Sequence, residues 1–146
     1  MKILLMGNPN VGKSVIFSRL TGAHVISSNY PGTTVGFTKG RIWIEGKEAE
    51  LIDVPGLYRL EPFSKAEEVA AKMLKQGNIV INVLDATNLE RSLYLTMQLL
   101  EQGLPMIVVL NMWDDVKHKG IHLDLEKLQS FLQVPVIPTV AVTGEG

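Results

Sequence analysis

The chain has 146 residues, 46% of them hydrophobic and 20% charged, a balance that suits one globular domain and excludes a disordered chain. Fourteen Lys and Arg against fifteen Asp and Glu leave a net charge of −1, so no overall positive field draws the chain to nucleic acid or anionic lipid. Cysteine is absent, which excludes disulfides and thiolate metal sites and fits a reducing compartment.

Taken in chain order, short β-branched or Leu-rich runs alternate with helical patterns, which argues for an α/β fold: a mostly parallel sheet with helices on both faces. Six strands are expected, near Lys2 to Met6, Phe37 to Ile44, Glu48 to Asp53, Ile79 to Asp85, Met106 to Asn111 and Val136 to Thr139. The second and third meet at Glu45-Gly46-Lys47, a tight-turn signal that predicts an antiparallel hairpin at one edge. Helices are expected to start near Lys13, Ser64, Asn88 and Leu123. Ser64-Lys65-Ala66-Glu67 has the capping-box pattern, and Thr87 or Asn88 is placed to cap the next helix. Two stretches, His24 to Gly36 and Pro55 to Pro62, resist regular assignment, and loops of that length in a small domain are usually functional or mobile. The apolar runs, such as Leu104 to Leu110, fall far short of the roughly 20 residues that span a bilayer. With no cleavable N-terminal signal, this piece reads as soluble and cytosolic. The last strand leads to no closing helix, so residues 1 to 146 read as one domain truncated before its last helix.

The strongest motif is Gly7-Asn8-Pro9-Asn10-Val11-Gly12-Lys13-Ser14, a G-x-x-x-x-G-K-S loop between the first strand and the first helix, the context that a phosphate-binding loop requires. Its glycines let backbone N–H groups wrap phosphates, Lys13 reaches the β- and γ-phosphates, and the Ser14 hydroxyl is a Mg²⁺ ligand. Base identity comes from Asn111-Met112-Trp113-Asp114. A carboxylate offers only acceptors, so Asp114 pairs with the N1–H and exocyclic amine of guanine and is repelled by the N1 acceptor of adenine. GTP and GDP are therefore favoured over their adenine counterparts. In Asp53-Val54-Pro55-Gly56, Asp53 holds Mg²⁺ through water, and the Gly56 N–H approaches the γ-phosphate because no side chain intervenes. Within Pro31-Gly32-Thr33-Thr34-Val35, Thr34 is the preferred residue to complete the Mg²⁺ shell, with Thr33 the alternative; both are otherwise ordinary β-formers at a strand entrance.

Leu57 follows Gly56 where many Ras-like GTPases place a water-orienting glutamine, so slow intrinsic hydrolysis is expected. Two readings of Asn10 stand side by side: a ligand for a monovalent cation beside the phosphates, or a side chain bonded within its own turn. Trp113 either flanks the guanine or covers a helix entry. His24, His118 and His122 lack metal-ligand spacing, and the methionines in apolar runs read as core filler.

The motifs GNPNVGKS, NYPGTTV, DVPGLY, VLDATNLERSLYLTMQLL and NMWD together resemble the N-terminal G domain of the FeoB ferrous iron transporters, over nearly the whole chain. That resemblance implies a Ras-like P-loop fold, Mg²⁺-dependent GTP hydrolysis, and K⁺ activation through Asn10. It also implies a helical regulatory domain and a membrane domain downstream, at the cytoplasmic face of the inner membrane; a homo-oligomer is compatible with it. The iron link is inherited, since nothing in the chain would ligate iron. Two departures stand out. Val140 replaces the Ser of the family's Ser-Ala base motif, which leaves the Ala141 N–H for guanine O6 but removes a supporting hydroxyl; Val15 replaces a frequent Thr. The rival reading is a soluble GTPase of ribosome assembly or tRNA modification, which shares the phosphate loop but usually carries a basic RNA-binding appendage.

Overall fold

The computed structural model describes residues 1–22 and 25–146; Ala23 and His24 lie outside the described residues. The elements run β1 (Lys2–Gly7), α1 (Lys13–Thr21), β2 (Val25–Asn29), β3 (Gly36–Ile44), β4 (Lys47–Asp53), α2 (Lys65–Gln76), β5 (Ile79–Asp85), α3 (Leu89–Glu101), β6 (Met106–Asn111), α4 (Trp113–His118), α5 (Leu125–Leu132) and β7 (Val136–Pro138). Among the described residues they form one seven-stranded sheet in the order β2-β3-β4-β1-β5-β6-β7. β2 and β3, and β3 and β4, pair antiparallel; the other pairs are parallel.

The α/β class and the antiparallel β3–β4 hairpin stand as expected, but β2 pairs outside β3 and takes the edge from that hairpin, and the strand count is seven rather than six. The additional strand, β2, lies in the stretch expected to be irregular. Every one of its residues is exposed, so it carries no alternation of apolar and polar positions for a sequence reading to detect. The short helix α4 was not expected either, since six residues are too few to show a helical period. The helix expected near Leu123 begins at Leu125, where the Asp124 side chain accepts from the Lys127 N–H. Ser64 caps α2 by accepting from the Glu67 N–H at 3.3 Å, while Glu67 reaches back to the Phe63 N–H at 2.8 Å. Asn88 occupies the cap of α3 without a side-chain bond; instead Asp85 accepts from the Thr87 N–H at 2.8 Å and its hydroxyl at 2.6 Å.

The side chains of β1 alternate between two apolar layers, as strand geometry requires. Leu4 and Met6 join Val69, Met73, Leu84, Leu95 and Leu99 beneath α2 and α3. Ile3 and Leu5 join Ile16, Phe17, Leu51 and Val83 beneath α1. Because both faces are covered, β1 reads as a near-continuous apolar run. The chain leaves β1 for α1 and β2 on one side, and α2 later carries it across to β5 on the other. The carboxyl end of β1 is thus a topological switch point, where open α/β sheets bind ligands.

Candidate functional site

The loop from Gly7 to Ser14 leaves β1 at that switch point. Asn10 and Gly12 both adopt left-handed backbone, with φ of 66° and 85°, and such alternation turns successive N–H groups inward to form an anion cradle. A Cβ on Gly12 would lie 2.2 Å from Asn111 Nδ2, and one on Gly7 would lie 2.4 Å from the Val83 carbonyl oxygen. Both positions therefore require glycine. No side chain caps the N-terminus of α1, which leaves its N–H groups and dipole facing the cradle. Asn8 is buried and gives its amide to the Arg91 carbonyl at 3.2 Å, while its Oδ1 has no partner among the described residues.

Lys13 and Asp53 form an ion pair between two largely buried side chains. They share an open cleft of about 580 Å³ with Ser14, Thr38, Pro55 and Gly56. A hydroxyl and a carboxylate on one cleft wall are the hard oxygen donors that suit Mg²⁺. Thr34 is not among the residues lining that cleft; it is exposed and makes no side-chain hydrogen bond among the described residues. Thr33, the alternative, is committed to its own turn: its hydroxyl donates to the Tyr30 carbonyl at 2.8 Å and accepts from the Val35 N–H at 3.1 Å. Asn10 is exposed.

Gly56 packs so closely that an added Cβ would meet the Pro9 backbone at 3.0 Å. The next residue, Leu57, is 4% exposed, and its N–H donates to the Gly7 carbonyl at 2.9 Å. Its side chain belongs to the core, which accounts for leucine where a water-orienting side chain would otherwise stand. The loop beyond it is pinned to α3. Leu60 N–H donates to Gln98 Oε1 at 2.8 Å, Arg91 stacks on the Tyr58 ring at 4.7 Å, and the Tyr94 hydroxyl donates to Glu61. That last bond holds the Glu61 carboxyl below its usual range and raises the Tyr94 hydroxyl. Arg91, Tyr94 and Gln98 all belong to the DATNLERSLYLTMQLL segment, and sequence reasoning assigned them no role.

On the base side, Asn111 is 4% exposed and joins three segments. Its Nδ2 donates to the Val11 carbonyl at 2.9 Å, and its Oδ1 accepts from the Ala141 N–H at 3.0 Å and the Thr139 hydroxyl at 3.1 Å. The Ala141 amide expected to meet guanine O6 is thus engaged by Asn111. Thr139 supplies a hydroxyl one residue before Val140, whose own side chain is 3% exposed and packed inside. Sequence reasoning missed Thr139 because it sits outside the usual motif position. Met112 takes left-handed backbone with φ of 62° as it caps α4, whose first turn presents Asp114 half-buried and without a hydrogen bond among the described residues. Trp113 is half-buried and packs against the apolar layer that includes Val116 and Leu132. His118 and His122 are exposed; His24 lies outside the described residues.

The family model for Ferrous iron transport protein B matches residues 1–146. The chain belongs to the FeoB family. Over its whole length it is 43% identical to the Fe(2+) transport protein A/Fe(2+) transporter FeoB fusion protein of Porphyromonas gingivalis, of which it spans 18%. The FeoB domain solved as the G domain of T. maritima FeoB is 38% identical, with a TM-score of 0.92, and the match covers all of this chain and 91% of that one. An S. thermophilus NFeoB mutant bound to GDP is 40% identical, with a TM-score of 0.94, covering all of this chain and 56% of that one. The FeoB fold is therefore that of a Ras-like G domain. No helix among the described residues is long and apolar enough to cross a membrane.

Proposed function

We propose that the chain is the GTP-binding and GTP-hydrolysing module of a ferrous iron transport protein, coupling its nucleotide state to Fe²⁺ uptake from the cytoplasmic face of the membrane. The observation that carries this reading is Asn111: one side chain ties the carbonyl of the phosphate loop to the base loop, three residues before the carboxylate suited to guanine. The phosphate loop and the base loop therefore meet through one side chain at the carboxyl ends of β1 and β6, an arrangement that supports one nucleotide lying across both. GDP bound by the S. thermophilus relative supports the same ligand here. The alternative, a soluble GTPase of ribosome assembly or tRNA modification, is disfavoured by the family match over all 146 residues. Because the chain spans only 18% of its P. gingivalis relative, the helical and membrane domains are proposed as its downstream partners.

The reaction is transfer of the γ-phosphoryl group to water. Backbone N–H groups of Gly7, Asn8, Asn10, Val11 and Gly12, together with Lys13, stabilise the phosphate charge, and the Gly56 N–H reaches the γ-phosphate. Ser14, Asp53 and Thr34 would hold Mg²⁺, which when bound neutralises charge on the β- and γ-oxygens. For this, Lys13 exchanges Asp53 for phosphate, and the exposed loop carrying Thr34 folds inward, an ordering typical of γ-phosphate switches. Asn111, Met112 and Asp114, with Val140 and Ala141, hold the base; Ala141 then shares its N–H with guanine O6.

With Leu57 buried, the position that carries a water-orienting glutamine in many Ras-like GTPases offers no such group, which favours a slow intrinsic rate and makes a bound cation useful. Asn10, at a left-handed position on the outer rim of the cradle, would hold K⁺. Phosphate release measured in potassium chloride and in sodium chloride at equal ionic strength should be about tenfold or more faster in potassium, each tenfold being about 1.4 kcal/mol off the barrier. Asn10→Ala should remove that difference. Equal rates in both salts would remove Asn10 from the mechanism.

A further inference from the structure

The base loop runs through Val140, Ala141 and Val142 into a turn whose geometry comes mostly from its own backbone. The Val140 carbonyl accepts from the Gly144 N–H at 2.9 Å and the Thr143 N–H at 3.1 Å. The next two carbonyls, Ala141 and Val142, point away from that turn toward α1. There they meet one side chain, Arg19: its Nε donates to the Ala141 carbonyl at 2.6 Å and its Nη2 to the Val142 carbonyl at 2.7 Å. A planar guanidinium with donors in a fixed fork suits two consecutive carbonyls, whereas the point charge of a lysine does not. The loop is also shaped to admit the group. Gly144 has φ of 88°, and a Cβ there would sit 3.0 Å from Arg19 Nη1.

Arg19 lies in the last turn of the helix whose first turn carries Lys13 and Ser14. We infer that Arg19 is a positioning residue that clamps the base loop from below and sets how long the guanine nucleotide stays bound. It supplies from α1 the support that Val140, lacking a hydroxyl, does not. The inference rests on the guanine-nucleotide reading above and adds to it a specific control of release. Arg19 touches neither phosphate nor base; it acts by holding the Ala141 amide where guanine O6 and Asn111 Oδ1 share it.

The test follows GDP carrying a fluorescent N-methylanthraniloyl group on its ribose, chased with unlabelled GDP. Arg19→Ala should release it about tenfold faster than wild type, because the loop loses both charge-assisted hydrogen bonds of this exposed side chain while its direct contacts to the base stay in place. Association should be unchanged, as should single-turnover hydrolysis of prebound GTP, because the phosphate end is untouched. Arg19→Lys, which keeps the charge but loses the fork, should fall between the two. A wild-type release rate in Arg19→Ala would overturn the inference; so would parallel loss of association and hydrolysis, which marks general loosening. Failure of the wild-type chain to bind the labelled GDP would overturn the nucleotide reading itself, and the inference with it.

Discussion

Asp114→Asn should invert the base preference of the site, weakening GDP on the order of a hundredfold or more while creating affinity for the xanthine nucleotide, since sites built to hydrogen-bond a substrate group reject its mismatch strongly. The carboxylate has acceptors only, and guanine offers it two donors, N1–H and the exocyclic amine. An amide in the same place keeps one acceptor but turns a donor toward that amine, leaving two donors facing each other. Xanthine carries a carbonyl at that position and accepts from the new donor. The substitution is structurally mild, because Asp114 is half-buried in the first turn of α4 and makes no hydrogen bond among the described residues. Calorimetric titration with GDP and with xanthosine diphosphate checks it. Unchanged GDP affinity would place the base elsewhere.

Gly12→Ala should abolish nucleotide binding and unfold the domain at markedly lower temperature. Two costs combine. The residue sits at φ of 85°, where left-handed backbone costs alanine about 1–2 kcal/mol. Its Cβ would then lie 2.2 Å from Asn111 Nδ2, forcing away a buried side chain that joins Val11, Thr139 and Ala141. Each buried group left unpaired costs about 1–3 kcal/mol. The sum, on the order of 4 kcal/mol or more, is a large share of the roughly 5–15 kcal/mol that holds a domain together. A thermal scan should show a midpoint lower by roughly 10 °C or more. A midpoint within about two degrees of wild type, with GDP still bound, would mean that Asn111 turns aside freely and does not join the two halves of the site.

What the sequence made legible follows the range over which each feature is encoded. The phosphate loop was readable because its chemistry is local: the spacing from Gly7 to Ser14 fixes which N–H groups face inward and where Lys13 begins. The strand–loop–helix context followed from apolar runs that both faces of the sheet require. β2 escaped notice because an exposed edge strand has no buried face to impose a pattern, and α4 because one and a half turns leave no period. The Asn111 motif was evident, but its bond to Val11 spans 100 positions and its bond to Thr139 spans 28. Arg19 and Ala141 are 122 positions apart, and nothing in either neighbourhood announces the other. The exposed placement of Thr34 was equally beyond reach, since it depends on how the turn at Tyr30 closes on the Thr33 hydroxyl.

The central claim is that the carboxyl end of the sheet around β1 and β6 binds and cleaves a guanine nucleotide, and phosphate release from GTP and from ATP, each with and without Mg²⁺, tests it most directly. The expected result is slow, saturable release from GTP that needs Mg²⁺ and no release from ATP. Equal turnover of both nucleotides, or none of GTP under any condition, would contradict it.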